Sequence, residues 1–154
     1  MNIQSSLQTK SNGCPSVSIV IVNWRTIKQT QLCLRSIRKF TRYPNFECIV
    51  IDNDSRDDSA NYLQSLAWIK YIENTHSNPD HRNGLDLGIS HSSSDLILIM
   101  HTDTFVRNHF WLEHLIEKMG DDTFVVGSQD RVIRPIPWFL FFDDYYRRGK
   151  LEKR

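Results

Sequence analysis

The chain has 154 residues, 40% hydrophobic and 24% charged, with a formal net charge of +1. That is the composition of one globular domain with room for a real core, and the near cancellation of charge removes the concentrated positive field that nucleic acid selects. Cys14, Cys33 and Cys48 are odd in number and far apart, with no CxxC pair, which argues against a disulfide framework or a zinc knuckle and predicts reduced thiols in a cytoplasmic setting.

Residues 1–16 read as a flexible polar arm. They hold no apolar h-region, so no signal peptide is expected, and no apolar run approaches the ~20 residues needed to span a bilayer. Val17-Ser18-Ile19-Val20-Ile21-Val22 is β-branched and nearly unbroken, the pattern of a central strand, and it ends at Asn23-Trp24. From Thr26 to Phe40, the residues Ile27, Cys33, Leu34, Ile37 and Phe40 recur at helical spacing, and Tyr43-Pro44-Asn45 breaks the pattern. Phe46 to Ile51 forms a second strand, followed by Asp52-Asn53-Asp54-Ser55 where a strand-to-helix turn belongs. Ser55 with Asp58 can cap a helix whose apolar side is Tyr62, Leu63, Leu66 and Ala67.

A third strand is expected over Ile69 to Glu73. Asn74 to Asn83 is polar, holds Pro79 and reads as a loop before a short helix through Leu85, Leu87 and Ile89. Leu96-Ile97-Leu98-Ile99-Met100 then reads as an inner strand of a parallel sheet. It stops abruptly at His101-Thr102-Asp103-Thr104, a polar cluster with a carboxylate. A helix from about Asn108 to Met119 and a fifth strand over Thr123 to Gly127 complete the alternation of strand and helix, which predicts βαβ units and a parallel sheet with helices on both faces. Open sheets of that kind bind ligands outside the carboxyl ends of their strands. Asp103, Asp52 and Asn23, each at or just past the end of a strand, are therefore the first candidates for chemistry.

Type, order and spacing together resemble a known family. Val17 to Trp24, the helix with Cys33-Leu34-Arg35-Ser36-Ile37, then Ile49-Val50-Ile51-Asp52-Asn53-Asp54-Ser55, and the strand ending in His101-Thr102-Asp103-Thr104 are similar to the family 2 glycosyltransferases of Rossmann-like GT-A fold. The resemblance covers residues 17–119. It implies a nucleotide-diphosphate-sugar donor, an acceptor hydroxyl, and Mn2+ or Mg2+ bridging the phosphates to stabilise the departing anion. It further implies an inverting transfer. On that reading Asp52 faces the nucleotide base, Asn23, Trp24 and Asp54 line the nucleoside pocket, Asp103 takes the metal, and His101 assists at metal or ribose.

Three departures stand out. His101 occupies the place of the first acid of the family's D-x-D motif, removing one negative charge beside the metal, though a neutral imidazole can still ligate Mn2+. Leu85-Asp86-Leu87-Gly88-Ile89 stands where the family commonly reads Arg-Asn-x-Gly-Ile. Leu85 cannot contact a phosphate, and His81 or Arg82, a turn earlier, are the residues able to replace that cation. Complete members also continue into a region that binds the acceptor and supplies a general base. Here only Arg131 to Arg154 follows, and Asp143 and Asp144 are its candidates for that base.

The expected organisation is an arm over 1–16, a nucleotide-sugar-binding domain over 17–130, truncated on the acceptor side, and an aromatic and basic segment over 131–154. Trp138 to Phe142, followed by Arg147, Arg148, Lys150, Lys153 and Arg154, suits a subunit contact or a peripheral membrane-surface contact but is too short to cross a bilayer. The competing reading is a catalytically silent GT-A domain that binds a nucleotide or a protein partner. Gly84 and Gly88 form no GxGxxG and there is no Walker loop, so a dinucleotide enzyme or a P-loop NTPase is not indicated.

Overall fold

The computed structural model describes residues 13–76 and 79–119, together with Thr123 and Val126. Val17–Asn23 forms β1, in which every residue is buried, as a β-branched strand covered on both faces must be. It is followed by α1 (Ile27–Phe40), β2 (Phe46–Asp52), α2 (Ser59–Gln64), β3 (Lys70–Glu73), α3 (His81–Ser90), β4 (Leu96–Met100) and α4 (Trp111–Glu117). Among the described residues the strands form one sheet in the order β3-β2-β1-β4, and every pairing is parallel. All four carboxyl ends therefore emerge along one edge. The register sets Asn23 opposite Asp52 and Ile21 opposite Met100.

Side chains alternate between the two faces of each strand, and the helices divide accordingly. Val20, Val22, Ile49 and Ile51 form a buried cluster against which Leu85 and Leu87 of α3 pack. Burying each such aliphatic side chain stabilises the fold by about 1.5–3 kcal/mol. On the opposite face α1 buries Cys33, Leu34 and Ile37, with the Cys33 Sγ 3.8 Å from Met100 Sδ. Helices thus cover both faces, as the alternation predicts. The seat of α3 depends on two glycines one turn apart: a Cβ on Gly88 would lie 2.5 Å from Ile51 Cδ1 and Val20 Cγ1, and one on Gly84 2.9 Å from Asn53 Oδ1 and Val22 Cγ1. Only hydrogen at these positions lets the helix approach this closely.

Several expectations are corrected. Among the described strands β4 has one neighbour, β1. Ile97 and Ile99 are 44% and 48% exposed, because α3 lies over β1 and β2 and leaves their side of β4 open. The expected loop Asn74 to Asn83 gives way to α3 at His81, where the Asp80 carboxylate accepts the Asn83 N–H at 2.6 Å as an N-cap. Ser55 does not cap α2. Its hydroxyl is held by Asp52, and α2 starts at Ser59 with its N–H on the Asp57 carboxylate.

The chain divides into two compact units, Met1–Glu113 and His114–Arg154. Everything described below belongs to the first. In the second, the end of α4 closes with 3.1 and 2.9 Å backbone bonds from Lys118 to Leu115 and from Met119 to Ile116. The expected fifth strand, apart from Thr123 and Val126, lies outside the described residues, as do Asp143, Asp144 and the stretch Trp138 to Phe142. No described helix is long and apolar enough to cross a membrane.

Candidate functional site

The edge where the strands end carries two hydrogen-bonded tiers, one on each face of the sheet. On the α1 face, Asn23 has no exposed surface and Asp52 only 4%. A buried carboxylate must find donors, and Asp52 has them: Asn23 Nδ2 at 2.6 Å and the Ser55 hydroxyl at 2.5 Å on Oδ1, and the Ser55 N–H at 3.2 Å on Oδ2. Asn23 Nδ2 also donates to Ser55 Oγ, which accepts the Arg25 N–H as well. The other end of the Asn23 amide accepts from Thr30 at 2.6 Å and lies 3.1 Å from the Thr26 hydroxyl. Thr26 Oγ1 is in turn 3.1 Å from Thr102 Oγ1, in the loop that follows β4. A continuous path of side chains therefore joins Asp52, at the end of β2, to the residue beside Asp103.

The path stops there, since Asp103 is exposed. Its charge reaches inward nonetheless. Burial first, and then the nearby Asp103 carboxylate, push the Cys33 thiol up to about 12. Asp52 and Asp103 thus belong to one edge of one sheet, as a ligand touching both requires.

On the α3 face, Asn53 is 3% exposed, donates to the Asp80 carbonyl at 2.7 Å and accepts from Asn74 at 2.7 Å. This ties the first turn of α3 to the end of β2. His81, the first residue of that helix, stacks on His101, the first residue past β4, with ring centroids 5.3 Å apart and planes 8° from parallel. Both rings are exposed, and so is Arg82 on the same helical turn.

The remaining sequence candidates divide into those open to a ligand and those already engaged. Trp24 is 57% exposed at the end of β1, with the Arg25 guanidinium 5.3 Å from its ring centroid. Asp54 is held by Arg56, whose Nε lies 2.9 and 3.1 Å from its two carboxylate oxygens, and this bond holds the Asp54 carboxyl below its ordinary value. Asn23 has no exposed surface, and its amide is engaged by Asp52, Ser55, Thr26 and Thr30. Leu85 packs against the core cluster.

Ser55, Thr26, Thr30, Thr102 and Asn53 are site residues that pattern reading did not single out. A Ser three residues after a strand-terminal acid is a readable signal, because its N–H and hydroxyl can both return to that carboxylate. The threonines gave no such signal, since their meeting depends on the packing of α1 beside β4. Arg25, Asp54 and Arg56 all have positive φ, 54°, 53° and 54°. Non-glycine residues in this region cost energy and cluster where a loop is forced around a site.

A parallel α/β sheet of this order, with helices on both faces, is the arrangement of the GT-A fold. The family profile "Glycosyl transferase family 2" matches residues 18–150, and the chain belongs to that family. Among solved structures, S. aureus TarS 1–349 matches at 16% identity and a TM-score of 0.64, over 82% of this chain and 40% of that one. A mannosyltransferase from Pyrobaculum calidifontis, PcManGT, in complex with GDP-Man and Mn2+, matches at 19% identity and 0.64, over 91% and 41%. TarS 1–349 in complex with UDP-GlcNAc matches at 15% identity and 0.61, over 82% and 38%. The chain spans about two-fifths of the length of these structures. No curated protein matches it.

Proposed function

We propose that this domain takes a nucleotide-diphosphate-sugar donor at the strand-end rim and transfers the sugar, with inversion and with a divalent cation, to an acceptor hydroxyl. The observation that carries the reading is the hydrogen-bonded path Asp52–Asn23–Thr26–Thr102, which holds the two strand-end acids on one edge. Solved structures of the same fold hold GDP-Man with Mn2+ and UDP-GlcNAc, which supports a donor of this class here.

The residues present fit a shared rather than a caged cation. Asp103 and His101 offer an oxygen and a nitrogen donor, and no cluster of three His, Cys, Asp or Glu side chains occurs among the described residues. Asp103 and His101 would hold the cation only together with ligands from outside the chain. The cation, Mn2+ or Mg2+, supplies charge compensation for the departing nucleoside diphosphate. The chain's own work would be positioning: Asp52 and its network would fix the β2 end for the nucleoside, Trp24 would offer it an exposed ring, and the exposed His81 and Arg82 would be donors to the phosphates. In the transfer, the acceptor oxygen bonds to the anomeric carbon as the bond to the diphosphate breaks, and a base takes the acceptor proton.

Thermal shift with GDP and UDP, with and without Mn2+, tests the reading. A ligand held only by the native state raises its apparent stability. Stabilisation that requires the metal and vanishes in Asp103→Ala is expected; no shift with either nucleotide would falsify it. Binding without sugar transfer to any acceptor would instead favour the silent-domain reading.

A further inference from the structure

The bases of this near-neutral chain gather on one helix. The chain holds 19 Lys and Arg against 18 Asp and Glu, yet the stretch from Arg25 to Arg42 has six of those bases and no acid. Within it α1 buries Thr30, Cys33, Leu34 and Ile37. Lys28, Leu32, Arg35 and Lys39, spaced four, three and four residues apart, share the opposite face of the helix, and all four are exposed. Lys28, Arg35 and Lys39 form no ion pair among the described residues. Leu32, between them, is 54% exposed. The segment after β4 runs alongside α1, with the Val106 N–H on the Ser36 hydroxyl at 3.0 Å and the Trp111 indole N–H on the Thr41 hydroxyl at 3.0 Å. It leaves Phe105 and Phe110 about half exposed.

We propose that the outer face of α1 is a docking surface for an anionic lipid bilayer. Three cations on one face repel each other, no described acid pairs with them, and a layer of anionic headgroups supplies the missing charge. From Lys28 to Lys39 the stripe runs about 16 Å along the ridge of the helix, a row of charges that suits a plane of headgroups. Leu32, with Phe105 and Phe110 on the neighbouring segment, provides apolar side chains for the boundary between headgroups and acyl chains. Nucleic acid is the poorer fit, because the chain as a whole carries only +1. Docking through α1 and donor binding at the strand ends are separate events, so this face does not rest on the donor reading.

The test uses the full chain with vesicles of phosphatidylcholine alone or mixed with phosphatidylglycerol, read by co-sedimentation. Binding is expected only to the anionic vesicles, and it should fall steeply as salt rises from about 0.1 M towards 1 M. Lys28→Gln, Arg35→Gln and Lys39→Gln together should weaken it about a hundredfold, at about fivefold per cation. Leu32→Ser should weaken it less, and the charge-keeping set Lys28→Arg, Arg35→Lys and Lys39→Arg should bind like wild type. All these side chains are exposed, so urea unfolding of each variant should match wild type. No binding to anionic vesicles, equal binding to neutral ones, or a triple glutamine variant that binds like wild type overturns the proposal. So does tighter binding to duplex DNA than to the vesicles, or binding that is lost only when Arg147, Arg148 and Lys150 are replaced by glutamine.

Discussion

Asp52 and Asp103 lie at or just past the ends of parallel strands on the same edge, and their surroundings are opposite. Asp52 is 4% exposed and accepts from Asn23 and twice from Ser55, while Asp103 is exposed in the loop beyond β4. The same side chain thus does two jobs. One acid is consumed in building the wall, and the other is left for solvent or a ligand. A carboxylate whose oxygens are already satisfied gives up little to an incoming nucleotide, whereas an exposed one can exchange water for a cation at small cost.

The same substitution at both positions should break the molecule in one case and only the site in the other. Asp52→Ala strands the Asn23 amide and the Ser55 N–H in the core, and we expect a loss of about 2–4 kcal/mol in urea unfolding. Unchanged stability would mean that the Asp52 network carries no load. Next in size is Gly88→Ala, which drives a methyl into Ile51 and Val20 and should cost about 1–3 kcal/mol. Because α3 carries His81 to the rim, that variant should also weaken nucleotide binding in proportion to the displacement of the helix.

Asp103→Ala is expected to shift stability by no more than about 0.5 kcal/mol while removing the Mn2+-dependent thermal shift. Loss of stability comparable to Asp52→Ala would erase the contrast between the two acids. A thiol titration reads burial on the same face: Cys14 is exposed while Cys33 and Cys48 are buried, and burial raises the thiols of both buried cysteines. Native protein should therefore react at Cys14 alone at mildly alkaline pH, and at all three cysteines after unfolding.

The smallest effect belongs to the opposite end of the sheet. Asp95 accepts the Ser16 N–H and hydroxyl, each at 2.8 Å, and these bonds hold its carboxyl below the ordinary value. A depressed folded value means that this contribution is present above the unfolded pKa of 3.8 and is lost as pH falls through the lower folded one. Asp95→Asn should slightly flatten the acid limb of stability against pH. An acid limb identical to wild type would remove the role given to Ser16.

Period and punctuation alone made β1, β2, β3, α1 and the acids at the strand ends legible, because a β-branched run and a 3.6-residue stripe are local physical signals. Asp103 as an open acid was readable for the same reason. What stayed hidden was sidedness. Leu96 to Met100 is apolar throughout, yet Ile97 and Ile99 are about half exposed, since apolarity reports burial preference and not which neighbour supplies it. The start of α3 was hidden by Pro79 and a polar run, although Asp80 three residues before Asn83 is a capping signal.

The amino-acid order by itself determined the succession of strands and helices, the parallel sheet that this succession demands, and the chemical types delivered to its carboxyl edge. Only the tertiary structure decided that Asn23 turns its amide inward to Asp52, that Thr26 meets Thr102, and that His81 stacks on His101 across 20 residues of chain. Those contacts depend on how closely α1 and α3 settle on the two faces of the sheet. Packing sets that distance, and neither composition nor periodicity carries it.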